Sequence, residues 1–120
     1  MYTLPKSERL RGKATISALM SKGRWGFSHS LKYCHFRADP QSDAPNRIMV
    51  SVPKRFFKRA VKRNLLKRRL REAYRTQKPL LASSGIDLML LYNSANLMDY
   101  QTLVDEVASI LKKISDERQL

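Results

Sequence analysis

Cysteine, acidic residues and long apolar runs are all scarce in this 120-residue chain. A single cysteine, Cys34, cannot form an internal disulfide, which excludes a small scaffold held together by disulfides. The longest apolar run outside helical spacing, from Leu88 to Tyr92, is much shorter than the roughly 20 residues of a membrane span. The amino-terminal residues also lack the apolar stretch of a secretory signal. We therefore expect a cytoplasmic protein that does not enter a membrane.

Positive charge is abundant and concentrated in one place. Lys and Arg outnumber Asp and Glu 24 to 10, which gives a net charge of +14. The stretch from Lys54 to Arg75 holds eleven Lys or Arg and one acid, Glu72, so it carries +10 of that total. Such a local field attracts polyanions, nucleic acid first and anionic membrane second. With 42% apolar residues, the chain is expected to form one domain over residues 1–120, with a flexible N-terminus over 1–8.

Hydrophobic periodicity and turn residues divide the chain into six elements. Helices are predicted over 12–22, 56–75 and 99–114, and strands over 31–38, 46–52 and 86–92. Turn-forming residues between the first two strands favour an antiparallel hairpin, and the nearly continuous apolar run of the third strand favours a central position. The order α-β-β-α-β-α predicts a single-domain α+β sandwich. In it the basic helix links two strands, a connection that is normally right-handed.

The predicted basic helix is amphipathic. At about 100° per residue, six polar side chains fall within an arc of roughly 140°: Arg63, Asn64, Lys67, Arg68, Arg71 and Arg75. The other side holds the residues expected to pack on the sheet: Val61, Leu65, Leu66, Leu70 and Ala73. A solvated helix face usually mixes charge signs, whereas this face is almost purely cationic, so its partner is expected to be external and negative. Arginine matches phosphate oxygens in two-point contacts, and the Asn64 amide suits a base edge or a ribose hydroxyl.

No catalytic constellation accompanies this basic helix. The ten acids are scattered, whereas a metal-dependent nuclease needs clustered carboxylates. His29, Cys34 and His35 lack the spacing of a zinc site, and no phosphate loop, dinucleotide fingerprint or nucleophile elbow occurs. A basic amphipathic helix also suits a membrane surface, but here its apolar side is needed for the core. We therefore expect a nucleic-acid-binding protein without catalytic residues, metal ligands or a small-molecule substrate.

The run AVKRNLLKRRLRE, Ala60 to Glu72, resembles the signature of the bacterial ribonuclease P protein subunit family. The shared pattern is Ala-Val, one residue, Arg-Asn, two residues, Lys-Arg, two residues and Arg-Glu. The preceding SVPKRFFKR, Ser51 to Arg59, is similar to the family's Ser-Val-x-Lys-Lys/Arg lead-in. The predicted order of elements extends the resemblance over essentially the whole chain.

This resemblance implies a ribosomal-protein-like fold with a left-handed strand-helix-strand crossover, contrary to the usual rule. It also implies the non-catalytic protein subunit of ribonuclease P, an endoribonuclease whose partner RNA uses Mg²⁺ to remove the 5′ leader from precursor tRNA. The protein alone would bind no cofactor, and its partners would be the ribonuclease P RNA and precursor tRNA. A ribosomal or other general nucleic-acid-binding protein without a processing role is the alternative.

Site residues follow from the resemblance by position. Arg63, Asn64, Lys67, Arg68 and Arg71 match signature residues that face RNA. We extend the predicted RNA-binding set along the same basic stretch to Lys54, Arg55, Lys58, Arg59, Lys62 and Arg75. The family further implies a groove between the first helix and the sheet that takes the single-stranded leader. The corresponding residues in this chain are Lys13, Ile16, Met20, Lys32, Cys34 and Phe36.

The predicted groove departs from the family's usual aromatic lining. Aromatic faces let bases stack with little regard to sequence, but Ile16, Met20 and Cys34 are not aromatic, so we expect weaker stacking. Core packing is an equal alternative for Ile16 and Met20. Leu31 and Tyr33 point to the opposite side of their strand and are expected in the core. The sequence leaves four aromatic residues open between a place in the core and a contact with RNA: Trp25, Phe27, Phe56 and Phe57.

Overall fold

The computed structural model describes residues 4–37, 41, 43–81 and 84–119, which form three helices and four strands. In chain order these are α1 (Lys13–Lys22), β1 (Arg24–Phe27), β2 (Leu31–Arg37), β3 (Arg47–Ser51), α2 (Ala60–Arg75), β4 (Ile86–Tyr92) and α3 (Tyr100–Gln119). All six predicted elements are present, and the α+β class is confirmed. Strand β1 was not predicted. Ala38, at the end of the predicted strand 31–38, lies outside the described residues.

The sheet has the strand order β1-β2-β4-β3. Strand β4 is antiparallel to β2 and parallel to β3, so the central position predicted for it is confirmed. The predicted hairpin between β2 and β3 is wrong, because β4 lies between them. Strand β4 is apolar on both faces, and a central place lets it bury both faces and pair along both edges.

The sheet buries a different cluster on each face. Helices α2 and α3 cover one face over the larger core, which includes Leu31, Tyr33 and Leu88. Helix α1 contributes to a smaller cluster on the other face, where Leu19 packs with Cys34 and Met89. The prediction that Leu31 and Tyr33 lie opposite Cys34 is therefore confirmed.

Helix α2 begins at Ala60, four residues later than the sequence predicted. Arg59 has extended backbone angles (φ −82°, ψ 127°), and the N–H of Phe56 donates to the carbonyl of Pro53 in a separate turn. This turn carries Phe57 into the core, where its ring centroid lies 5.7 Å from that of Tyr92. Phe56 is half-buried against the same core. The two phenylalanines therefore support the start of α2.

The amino-terminal stretch packs against the outer edge of β3. Leu4 and Leu10 are buried, the N–H of Leu10 donates to the carbonyl of Ile48, and Glu8 forms an ion pair with Lys78 at 2.7 Å. Residues 1–3 lie outside the described residues, and the flexible N-terminus over 1–8 stays a prediction. The crossover expected to be left-handed is the β3-α2-β4 unit, and its hand stays a prediction.

Candidate nucleic-acid interface

Helix α2 turns its apolar side to the core and most of its charge to solvent. Its four buried residues are Leu66, Leu70, Ala73 and Tyr74. At about 100° per residue, their common direction leaves Arg68 at the centre of the exposed side. Val61 lies next to this centre and is 79% exposed. The prediction that Val61 packs on the sheet is therefore wrong, because the buried stripe is narrower than the apolar sequence pattern suggested.

The polar residues of α2 divide into an exposed set and a half-buried set. The exposed residues are Lys62, Asn64, Arg68 and Arg71, and the half-buried ones are Arg63, Lys67, Arg69 and Arg75. In the part of the chain that the structure describes, neither Arg68 nor Arg71 forms an ion pair. We call Asn64, Lys67, Arg68 and Arg71, which span about 100° of the helix circumference, the cationic face.

Three other arginines of α2 are engaged within the protein. Arg63 donates from one guanidinium nitrogen to the carbonyls of Phe57 and Lys58, both at 2.8 Å. Arg69 donates to the carbonyl of Met98 at 2.7 Å. Arg75 donates two hydrogen bonds, of 2.9 and 2.5 Å, to the carboxylate of Glu72. These hydrogen bonds hold the pKa of Glu72 below its usual range. Arg63 and Arg75, predicted to contact RNA, therefore already have partners inside the fold.

Four basic side chains of the segment before α2 extend the cationic face. Lys54, Arg55, Lys58 and Arg59 are all exposed, and the Arg55 guanidinium lies 4.8 Å from the ring centroid of Phe56. The turn at residues 53–56 folds this segment back toward the core through Phe57. The four charges therefore extend the positive surface from α2 onto the segment that precedes the helix.

The predicted groove residues lie on the α1 side of the sheet but differ in accessibility. Lys13 and Met20 are exposed, whereas Ile16, Lys32 and Phe36 are half-buried. Ile16 and Phe36 pack against the small cluster. Core packing therefore accounts for Ile16. It does not account for Met20, which is 49% exposed.

Cys34 is fully buried beneath this surface, so it cannot touch a ligand there. Its Sγ donates to the carbonyl of Leu19 at 3.3 Å, and burial raises the pKa of the thiol. The prediction of Cys34 as a groove contact is therefore wrong. Cys34 instead packs directly beneath α1, against Leu19.

The exposed aromatic rings on this side of the sheet lie on β1, since α1 has none and Phe36 of β2 is half-buried against the small cluster. Trp25 is 40% exposed and Phe27 61% exposed. Both rings lie on the face that carries Lys32, since Trp25 pairs with Cys34 and Phe27 with Lys32 in the sheet register. The Lys32 ammonium lies 4.7 Å from the Trp25 ring centroid and 5.4 Å from that of Phe27. The alternation of Trp25 and Phe27 around Gly26 was the sequence signal for this exposed strand.

Neither a metal centre nor a membrane span is found in the described ranges. No group of three His, Cys, Asp or Glu residues there lies close enough together to hold a metal ion. No helix in the described ranges combines the length and apolar character needed to cross a bilayer.

Together, the fold and these surfaces define a small single-domain α+β protein with a cationic helix on one side of its sheet and exposed aromatic rings on the other. Residues 4–115 match the family described as Ribonuclease P. The chain belongs to the ribonuclease P protein family.

Two relatives show the range of the match: one aligns with the whole chain and the other with two thirds of it. A ribonuclease P protein component from Nitrosomonas eutropha is 34% identical over 121 residues, which covers 100% of this chain and 96% of the relative. A ribonuclease P protein component from Porphyromonas gingivalis is 39% identical over 80 residues, and the match spans 67% of this chain but only 58% of that protein. The solved structure of the Staphylococcus aureus RNase P protein has the same fold. It superposes with a TM-score of 0.76 at 21% identity, covering 90% of this chain and 95% of that one.

Proposed function

We propose that this chain is the protein subunit of ribonuclease P, which binds a catalytic RNA and the 5′ leader of precursor tRNA. The cationic face of α2 carries the contact with the RNA subunit. The proposal assigns the chemistry, the endonucleolytic removal of the leader, to the RNA and its bound Mg²⁺. It assigns no catalytic residue or metal to the protein and puts the protein in the cytoplasm, where this processing takes place.

The exposed cationic face is the single observation that carries this proposal. Like charges spaced by four residues destabilise an isolated helix by a few tenths of a kcal/mol per pair, so a chain gains nothing from Lys67 and Arg71 unless an anion binds them. Arginine is the side chain best suited to two-point contact with phosphate. Asn64 lies among these cations as an exposed neutral amide that can read a base edge or a 2′-hydroxyl.

The leader is assigned to the α1 side of the sheet, away from the cationic face. Lys13, Met20 and Lys32 are accessible there, whereas Cys34 is not. The two surfaces lie on opposite sides of one sheet, so the RNA subunit and the leader can be held at the same time.

A binding titration tests the assignment to the catalytic RNA. The affinity of the protein for ribonuclease P RNA is compared with its affinity for ribosomal RNA fragments and duplex DNA at about 150 mM salt. We expect clear preference for the ribonuclease P RNA. Equal affinity for all three would support the alternative, a general nucleic-acid-binding protein without a processing role.

The salt dependence of that affinity tests the electrostatic part. If five or six cations of the cationic face and of the exposed basic segment before it each neutralise a phosphate, the slope of log affinity against log salt should be about −3.5 to −5.5. A slope near −1 would contradict the role of the cationic face. Reconstitution with the RNA at low Mg²⁺ then tests processing, because leader removal should require the RNA and increase when the protein is added. Cleavage by the protein alone would overturn the non-catalytic role.

A further inference from the structure

We propose that β1 carries a stacking site for two unpaired nucleotides, in which Trp25 takes one base, Phe27 takes the next and Lys32 binds the phosphate between them. This inference rests on the proposed function, which brings a single-stranded RNA segment to the α1 side of the sheet. It identifies the residues that hold the strand and the structural state of the RNA that they accept.

The spacing of the two rings selects an unpaired strand. Trp25 and Phe27 are two residues apart on the same face of an extended strand, so their Cα atoms are about 6.6 Å apart. Neighbouring bases in a duplex strand are stacked about 3.4 Å apart. Two successive bases that each cover one ring must therefore be separated from each other, and a base-paired strand cannot do this without unwinding.

Lys32 supplies a positive charge close to both rings. Its ammonium lies 4.7 Å from one centroid and 5.4 Å from the other, and among the described residues it forms no ion pair with a carboxylate. An ammonium offers three N–H donors, so contact with the ring faces leaves donors for phosphate oxygens. Base stacking on aromatic rings combined with backbone contact to a cation is the usual way in which proteins bind single strands without reading their sequence.

The Trp25 ring and the backbone of β1 are held by contacts on the two faces of the strand. The indole Nε1–H of Trp25 donates to the carbonyl of Met20 at 3.3 Å, which ties this ring to the last turn of α1. On the opposite face, the Tyr33 ring fills the space beside Gly26. This strand therefore presents its rings on a packed support instead of a loose loop, which lowers the cost of ordering them when RNA binds.

Trp25 is the only tryptophan in the chain, so its fluorescence reports on this site alone. The full-length protein is titrated with an unstructured oligoribonucleotide and, separately, with a duplex of the same sequence. We expect the single strand to quench Trp25 emission and the duplex to bind the cationic face of α2 without comparable quenching. Absence of quenching by the single strand, or equal quenching by both, would overturn the proposal.

Substitutions that retain Trp25 test the roles of Phe27 and Lys32 in binding the single strand. Loss of an aromatic stacking partner weakens single-strand binding by roughly 5-fold to 100-fold, so Phe27→Leu should fall in this range. Lys32→Gln should weaken binding and reduce its salt dependence. Tyr100→Leu is the control, because Tyr100 is also an exposed aromatic residue, 38% against 61% for Phe27, but it begins α3, which covers the other face of the sheet. If Phe27→Leu and Tyr100→Leu bound single strands equally well, the site would not be on β1.

Two further measurements separate failure of this inference from failure of the proposed function. Phe27→Leu should leave affinity for ribonuclease P RNA unchanged, since that contact is assigned to α2. It should also leave the melting temperature nearly unchanged, since Phe27 is 61% exposed. If the wild-type protein showed no preference for ribonuclease P RNA, the proposed function would be overturned. The quenching of Trp25 by single-stranded RNA decides the β1 site independently of that result.

Discussion

Glu106 in α3 accepts two hydrogen bonds from Ser30, a residue 76 positions earlier in the chain. The backbone N–H of Ser30 donates to Oε1 at 2.8 Å and its hydroxyl donates to Oε2. Both residues are buried. The carbonyl of Ser30 in turn accepts from the N–H of Asn93, at the end of β4. The turn that joins β1 to β2 is thereby fixed to the centre of the fold, and with it the direction of β1.

We predict that Glu106→Gln lowers the free energy of unfolding by about 1–3 kcal/mol, the usual cost of a buried donor left without a good acceptor. A neutral amide offers one oxygen where the carboxylate offers two, so one of the two Ser30 donors loses its partner. Chemical denaturation measures the change. Asp105→Asn is the control, since Asp105 is the exposed neighbour and, among the residues that the structure describes, accepts from Gln101 alone. Equal stability of the two variants would show that the Ser30 contacts contribute little.

Arg63 and Arg68 should behave differently when each is replaced by Ala. Arg68 is exposed without an ion pair in the described ranges, so Arg68→Ala should weaken RNA binding and make the salt slope shallower by about 0.7–0.9 without changing the melting temperature. Arg63 bonds to the carbonyls of Phe57 and Lys58, so Arg63→Ala should also lower stability by about 1 kcal/mol. Binding assays and thermal unfolding of both variants test this. An unchanged melting temperature for Arg63→Ala would contradict the supporting role.

The difference between these two arginines illustrates what sequence periodicity can and cannot predict. An angular calculation correctly separated Leu66 and Leu70 from Arg68 and Arg71, because burial of a continuous stripe is repeated over several turns. It could not predict that Arg63 bonds to Phe57 and Lys58, since those carbonyls belong to a turn whose shape depends on tertiary packing. Val61 was misplaced for a related reason: only four positions of α2 are deep enough to be fully buried.

Strand pairing shows the same limit at larger scale. The apolar run of β4 was sufficient to predict its central position, because both faces need covering. Its parallel pairing with β3 joins residues 40 apart, such as Arg47 and Asp87, and local turn signals favoured a hairpin instead. Strand β1 escaped prediction because its four residues are mostly exposed and one of them is glycine. The aromatic part of the candidate site was therefore missed together with the strand that carries it.

Asp99 caps the N-terminus of α3 and should make stability depend on pH in the acid range. Its Oδ1 accepts from the N–H of Thr102 at 2.8 Å, and hydrogen bonding from the Thr102 side chain, together with this N–H, lowers the pKa of Asp99. Because the folded-state pKa is below the unfolded one, the stabilisation is complete above the unfolded value and is lost as pH falls through the folded value. Asp99→Asn retains a capping oxygen but does not titrate. The stability difference between wild type and this variant should therefore shift against wild type as pH is lowered from 6 to about 3. A difference that stays constant would contradict the role of the charge.

Gly26 is required because the Tyr33 ring occupies the place of a side chain there. A Cβ on Gly26 would lie 2.4 Å from a ring carbon of Tyr33, too close for two carbon atoms. Tyr33 is buried, so its ring cannot simply swing aside. We predict that Gly26→Ala lowers the free energy of unfolding by about 1–3 kcal/mol, the usual cost of overpacking. In a Tyr33→Leu background, which removes the ring, the same substitution should cost much less. A double-mutant cycle by chemical denaturation measures this coupling, and strictly additive effects would show that the two residues do not compete for one space.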